Sequence, residues 1–219
     1  GAQVAQYKWI LSGAVNEHVS SQEFFVLNDG NIGVISAHRG DTAYFNRLKY
    51  SVLDQDLNPI SLNIPLDITT KGNNYFSGDD VFSVAVLSNG NFVVAYAYDR
   101  DGDTTHESRI KYEIYQPDGT RVANSEGVYS HYAGEKDYAS ITDWEKDPNV
   151  IATSDGGFVI SWTGYDSKTK GWRQVMNKFD DAGQPMGMGP ANAPDLASDM
   201  TLTMDQDTTL SNIDVTGAA

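Results

Sequence analysis

The sequence predicts an all-β, antiparallel fold of three four-stranded repeats, arranged as propeller-like blades or as a sandwich. Three observations carry that prediction. A pattern of turn, alternating strand, polar loop, arginine, strand and second turn occurs three times. Its spacing is steady: Gly30 to Gly90 is 60 residues and Gly90 to Gly156 is 66, while Arg47 to Arg109 is 62 and Arg109 to Arg173 is 64. No segment carries a long helical period. A repeat of this length with two hairpins per copy corresponds to one four-stranded antiparallel unit. Three such units suit blades or a packed pair of sheets, and both alternatives stay open at this point.

The elements follow in order. A short apolar run, Tyr7 to Leu11, predicts a strand ahead of the repeats. Each repeat opens on a tight turn: Asn28-Asp29-Gly30-Asn31, Ser88-Asn89-Gly90-Asn91 and Ser154-Asp155-Gly156-Gly157. Asn-Gly and Asp-Gly tolerate the positive φ of hairpin turns. The strands after these turns span Ile32–Ala37, Phe92–Tyr98 and Phe158–Thr163. Alternation puts Ile32 with Val34, Phe92 with Val94, and Phe158 with Ile160 on one face. The aligned arginines open the next strands, Leu48–Leu53, Ile110–Tyr115 and Gln174–Phe179. Their expected role is structural pairing with carboxylates or sheet carbonyls. A last turn closes each copy, at Asp54–Pro59, Gln116–Arg121 and Asp180–Pro185.

Two regions depart from the repeat. Tyr129 to Pro148 is longer than a plain connection and rich in acids and aromatics, which marks it as a candidate functional loop. Residues 1–190 read as one repeat-built domain. Residues 191–219 read as a linker and a terminal strand, Met200 to Leu210, that opens another module.

Composition bounds the function. The 219 residues carry a net charge of −15, which argues against nucleic acid and anionic membrane as partners. No apolar run reaches the length of a membrane span, so no membrane insertion is expected. The N-terminus shows no signal peptide and reads as the cut end of a longer chain. The absence of cysteine excludes disulfides, thiolate metal sites and a cysteine nucleophile. The acidic balance favours hard cations, Ca²⁺ first.

Asp99, Asp101 and Asp103 alternate around Gly102, with Glu107 four residues on. Such a loop points several oxygens at one cation, so these four residues are the candidate Ca²⁺ ligands. The loop lacks an EF-hand frame, and outward-facing charges on a solvated hairpin remain the alternative. Asp41 and Asp166 end the matching strands of the other copies, although turns favour Asp for its own sake. Aromatics gather near the same edge. Tyr98, Trp144, Tyr165, Asp166 and Trp172 are the candidate ligand-binding residues, while Tyr96 and Trp162 fit core and site equally. The four histidines show no metal-pair spacing, and no HExxH, G-x-S-x-G or phosphate-binding glycine loop is present. Paired carboxylates for glycoside chemistry stay open, because two acids can meet from anywhere in a chain. Thr153 to Phe158 partly resembles the Asp-box turn of sialidase-type propellers, in one copy only.

Asp155-Gly156-Gly157-Phe158-Val159-Ile160-Ser161-Trp162, followed by Phe179-Asp180-Asp181-Ala182-Gly183, resembles the degenerate repeats of giant bacterial adhesins of the RTX type. The second copy keeps Asn89-Gly90-Asn91-Phe92-Val93-Val94-Ala95-Tyr96, and the first is the most diverged. Asp205 to Leu210 looks like the start of a cadherin-like or immunoglobulin-like extender module. The resemblance implies a secreted, cell-surface, Ca²⁺-loaded segment. It leads to the expectation of a non-catalytic adhesion module, monomeric in isolation, that holds a peptide or glycan of another cell. A structural spacer and a propeller-like polysaccharide-active enzyme are the alternatives, and two carboxylates in one cleft would mark the enzyme.

Overall fold

The computed structural model describes residues 17–40, 46–66, 82–99, 108–123, 131–134, 145–166 and 170–186. The predicted strands at Tyr7–Leu11 and Met200–Leu210 lie outside these residues, and so does most of the 129–148 loop. The chain divides into two compact units, Gly1–Gly187 and Met188–Ala219, and every described residue belongs to the first.

Among the described residues twelve antiparallel strands make three sheets, and there is no helix. The first blade is β1 (Glu17–Val26), β2 (Ile32–Gly40), β3 (Asn46–Leu53) and β4 (Pro59–Pro65), paired in that order. The second is β5 (Phe82–Val86), β6 (Phe92–Asp99), β7 (Ser108–Tyr115) and β8 (Arg121–Val122), with β9 (His131–Tyr132) also pairing β7. The third is β10 (Glu145–Ala152), β11 (Phe158–Asp166) and β12 (Gly171–Phe179), extended by a bridge between Phe179 and Pro185. The two predicted central strands of each copy are all present. The expected 129–148 loop is shorter than the sequence suggests, because Glu145 to Pro148 already belong to β10.

The turns do what their residues dictate. Gly30, Gly90, Gly119, Gly156 and Gly183 take φ between +77° and +98°. At the first turn, Gly30 N–H donates to Leu27 O at 2.9 Å and Leu27 N–H donates to Asn31 O at 2.8 Å. The other turns repeat this pair, which is a type I turn closed by a left-handed residue. Several of their acidic residues are spent on the backbone. Asp180 Oδ1 accepts the N–H groups of Ala182 and Gln184 at 3.0 and 2.7 Å, and Asp118 Oδ1 accepts Thr120 N–H at 2.8 Å. Turn chemistry therefore accounts for the Asp at these repeat positions.

Two cores hold the blades together. One lies between the first and second sheets and contains Ile35, Leu48, Tyr50, Phe92, Val94 and Tyr115. The other lies between the second and third and contains Ile110, Tyr112, Ile114, Phe158, Ile160 and Phe179. The middle sheet is buried on both faces, which explains the unbroken apolar run of Phe92 to Tyr96. Successive sheets with a core at each joint are propeller-like blades, not the two layers of a sandwich. Tyr96 and Trp162, equally core or site by sequence, are core at 2% and 3% exposure.

The same hydrogen bond recurs at both joints. Tyr50 Oη donates to Pro117 O at 2.9 Å, and Tyr112 Oη donates to Gly183 O at 2.7 Å. Each tyrosine thus reaches from one blade to the closing turn of the next. Glu113 is buried between the first two blades, where Tyr96 Oη and Tyr115 Oη donate to it at 3.1 and 2.5 Å and Arg121 pairs at 3.4 Å.

Candidate active site

The innermost strands are β1, β5 and β10, and β5 touches both of the others. Where they converge they line a cleft of ≈ 420 Å³, formed by Ser21, Gln22, Glu23, Phe82, Ser83, Asp147, Pro148 and Asn149. The lining is mostly hydroxyl, amide and carboxylate, with one aromatic edge.

The repeat explains how these side chains arrive there. Glu23, Ser83 and Asn149 stand at the same distance from their turn glycines, Gly30, Gly90 and Gly156. Glu23 Oε1 accepts Val84 N–H of the second blade at 3.2 Å. Ser83 Oγ accepts Val150 N–H of the third blade at 3.2 Å and donates to Asn149 Oδ1 at 3.4 Å. One polar residue per inner strand therefore stitches each blade to the next. In Glu23 that task uses one carboxylate oxygen. Partial burial raises the Glu23 carboxyl above its ordinary value, and the Val84 N–H offsets part of the rise.

Both acid-bearing inner strands are irregular at the cleft. The β1 register shifts between Val19 and Ser21, and the β10 register shifts between Lys146 and Asn149. Pro148 cannot donate to a ladder, which favours a bulge at this point. Asp147 takes φ of +56°, and its carboxylate lies 3.7 Å from Lys146 Nζ, with both side chains about half exposed. Bulges re-aim side chains, and left-handed non-glycine residues concentrate at functional sites.

The residues expected from sequence fall out unevenly. Tyr165 and Trp172 are cross-strand partners on the third blade, with ring centroids 5.3 Å apart at 63°. Lys146 Nζ stands 4.7 Å over the Trp172 ring, and so links that pair to Asp147 in the cleft. Tyr98 and Asp166 are placed by backbone only, opposite Arg109 and Gly171. Trp144 and the Ca²⁺ candidates Asp101, Asp103 and Glu107 lie outside the described residues, and Asp99 enters only as the last residue of β6. Among the described residues no group of three or more His, Asp or Glu is placed to hold a metal.

Sequence reasoning did not single out Glu23 or Asp147. Two signals pointed to them: a charged residue inside Ser21-Gln22-Glu23-Phe24-Phe25, and a proline inside an otherwise strand-like Lys146 to Ala152.

No family model matches the chain, and no curated protein matches it. Solved structures do. One is an exo-1,5-α-L-arabinanase from a bovine ruminal metagenomic library, matched at a TM-score of 0.50 and 12% identity over 78% of this chain and 57% of that one. Another is a sucrose-6-phosphate hydrolase from Lactobacillus gasseri, matched at 0.50 and 12% identity over 78% of this chain and 35% of that one. The chain thus spans less than two thirds of the length of either of these two proteins. These likenesses concern the fold, and they correct the expectations drawn from the adhesin resemblance. The fold is shared with glycoside-cleaving enzymes and not with RTX adhesin repeats or a cadherin-like module. The Asp-Gly-Gly-Phe and Asp-Asp-Ala-Gly motifs that carried the resemblance are hairpin turns and core strands, which many β-repeat proteins need. The reading as a non-catalytic adhesion module falls with it, because the structures that share the fold are glycoside-cleaving enzymes.

Proposed function

We propose that the chain is the carbohydrate-active part of a glycoside-cleaving enzyme, with the cleft between β1, β5 and β10 as its substrate site. The observation that carries this reading is a polar cleft with two carboxylates from different blades, one of which has a raised proton affinity. The fold's likeness to an arabinanase and a sucrose-6-phosphate hydrolase supports the reaction class.

Cleaving a glycosidic bond requires a proton for the departing oxygen and a carboxylate on the other side of the bond. Glu23 is the proposed acid, because partial burial favours its protonated form. Asp147 is the proposed second carboxylate, held out on its bulge for the attacking water or the anomeric carbon. Ser21, Gln22 and Asn149 supply hydroxyl and amide partners for sugar hydroxyls, and Phe82 gives a ring edge for a C–H face. The substrate class is a neutral oligosaccharide, since the cleft brings two acids and the chain carries −15. A secreted location belongs to the proposal, because a polymeric substrate is met outside the cell.

The test is reducing-sugar release by the full chain from the neutral substrates linear 1,5-α-L-arabinan, arabino-oligosaccharides and inulin. Glu23→Gln and Asp147→Asn are expected to lower the rate by about 10²–10⁴-fold each. Activity should fall as pH rises through the raised Glu23 value. No release from any of these substrates, or release that survives both substitutions, overturns the reading.

A further inference from the structure

The third blade differs from the other two on the face it turns away from its neighbours, referred to as its front face. In the first blade that face carries Leu48, Tyr50 and Val52, and in the second Ile110, Tyr112 and Ile114, all buried against the next sheet. The matching residues in the third are Gln174, Met176 and Lys178. The central strand changes in step, from Ile35 and Ala37 through Ala95 and Ala97 to Ser161 and Thr163. Strand alternation and register put Lys146, Asn149, Thr163, Tyr165, Trp172 and Gln174 together on this one surface. Trp172 is 47% exposed and Met176 59%.

We propose that this face is a saccharide-binding surface continuous with the cleft, occupied by the part of a neutral glycan chain that extends beyond the bond being cleaved. Four features support that occupant. First, the positions that bury apolar side chains at the other two joints are polar here at all but Met176, which suits a wetted surface better than a joint. Second, the exposed apolar residues are few: Ile151 pairs with Val159 and Met176 faces Ser161, and Asn149, Thr163, Gln174 and Lys178 surround them, so only a small apolar patch offers itself to a second copy. Third, the charges cancel locally, with Lys146 beside Asp147 and Lys178 paired to Asp155 at 2.5 Å, which leaves a near-neutral surface on an acidic chain. Fourth, the groups left are those a sugar uses. An indole, held between Tyr165 and Lys146, meets the C–H face of a ring. The Gln174 amide, which donates to Thr163 Oγ1 at 2.8 Å, and the Asn149 amide meet hydroxyls. Asn149 belongs to both surfaces, and Lys146 joins Asp147 to Trp172, so the path from cleft to platform is unbroken.

This inference rests on the carbohydrate reading of the cleft, and the experiment separates the two. The full chain is run by native electrophoresis through gels containing linear arabinan or inulin, beside Trp172→Ala, Gln174→Ala and Glu23→Gln, with thermal melts to confirm folding. The expected result is retardation of the parent and of Glu23→Gln, and apparent affinity about tenfold weaker for Trp172→Ala, with a smaller loss for Gln174→Ala. Retardation lost in Trp172→Ala, with no hydrolysis by the parent, keeps the surface and discards the cleft chemistry. Hydrolysis of short substrates without retardation by either polymer discards the surface and keeps the cleft. Equal retardation of the parent and both face variants overturns the proposal, as does a solution dimer that Trp172→Ala dissociates.

Discussion

The front faces of the second and third blades occupy matching positions in the repeat and follow opposite rules. In the second blade Ile110, Tyr112 and Ile114 are buried at 0%, 1% and 4%, and the Tyr112 hydroxyl is tied to Gly183 O. In the third the same three positions hold Gln174, Met176 and Lys178, with Met176 59% exposed. The central strands, β6 with β7 and β11 with β12, pair alike and the turns close alike, so the backbone of the central pair does not distinguish them. The difference lies in what each face must meet. A joint demands apolar volume and satisfied hydroxyls, whereas a face on which no sheet packs among the described residues stays wetted and is free to take on other work.

The comparison is broken most sharply at its central pair. Tyr112→Ala removes a buried ring packed 4.7 Å from Phe179 and 5.4 Å from Phe158, together with its hydrogen bond. It is expected to cost about 3–5 kcal/mol. Met176→Ala, at the matched position, should stay within about 0.5 kcal/mol. Denaturant unfolding of the two variants decides the point, and comparable losses would mean that the third blade's front face is packed after all.

A smaller effect sharpens the same contrast at the inner strands. Ser83 takes the backbone N–H of Val150, so Ser83→Ala leaves that donor without its partner at the joint. The expected cost is about 1–2 kcal/mol. Asn149, its counterpart on the terminal blade, is exposed, and Asn149→Ala should cost less in stability while weakening glycan retention. Equal destabilisation by the two would show that the stitch does not end at the third blade.

How much of this was legible follows from what each residue reports. Turn glycines and aligned arginines announce themselves, because positive φ and strand pairing constrain residue type locally. The central strands were therefore readable. The inner strand Glu17–Val26 was not, since Ser21-Gln22-Glu23 looks like a loop until its polar side chains are seen to face a cleft and the neighbouring blade. Asp147 was hidden inside an apparent long loop that is a bulged strand. Trp172 and Tyr165 were singled out because they stand among polar residues near a strand end. The fall from Ile110, Tyr112 and Ile114 to Gln174, Met176 and Lys178 was visible in the repeat itself. Its meaning required knowing which face of each sheet looks toward the next.

The smallest expected effect concerns the opposite, inward face, where all three blades keep a polar residue at one position: Ser51, Glu113 and Asn177. Burial raises the Glu113 carboxyl above its ordinary 4.5, and hydrogen bonds from Tyr115 and Tyr96 and the charge of Arg121 offset part of the rise. The native state therefore holds this proton more tightly than the unfolded chain does. Between 4.5 and the raised native value the folded form binds more protons, so its stability falls as pH rises through that window. General repulsion in a chain of −15 acts in the same direction, so the parent curve alone does not isolate the group. Glu113→Gln does, because it removes the titration and leaves the remaining charges in place. Its stability relative to the parent should climb as pH rises from 4.5 through the raised native value and then level off. Parallel curves across that range would mean that Arg121 and the two tyrosines hold Glu113 ionised throughout, and that the joint between the first two blades contains a charge pair in place of a proton.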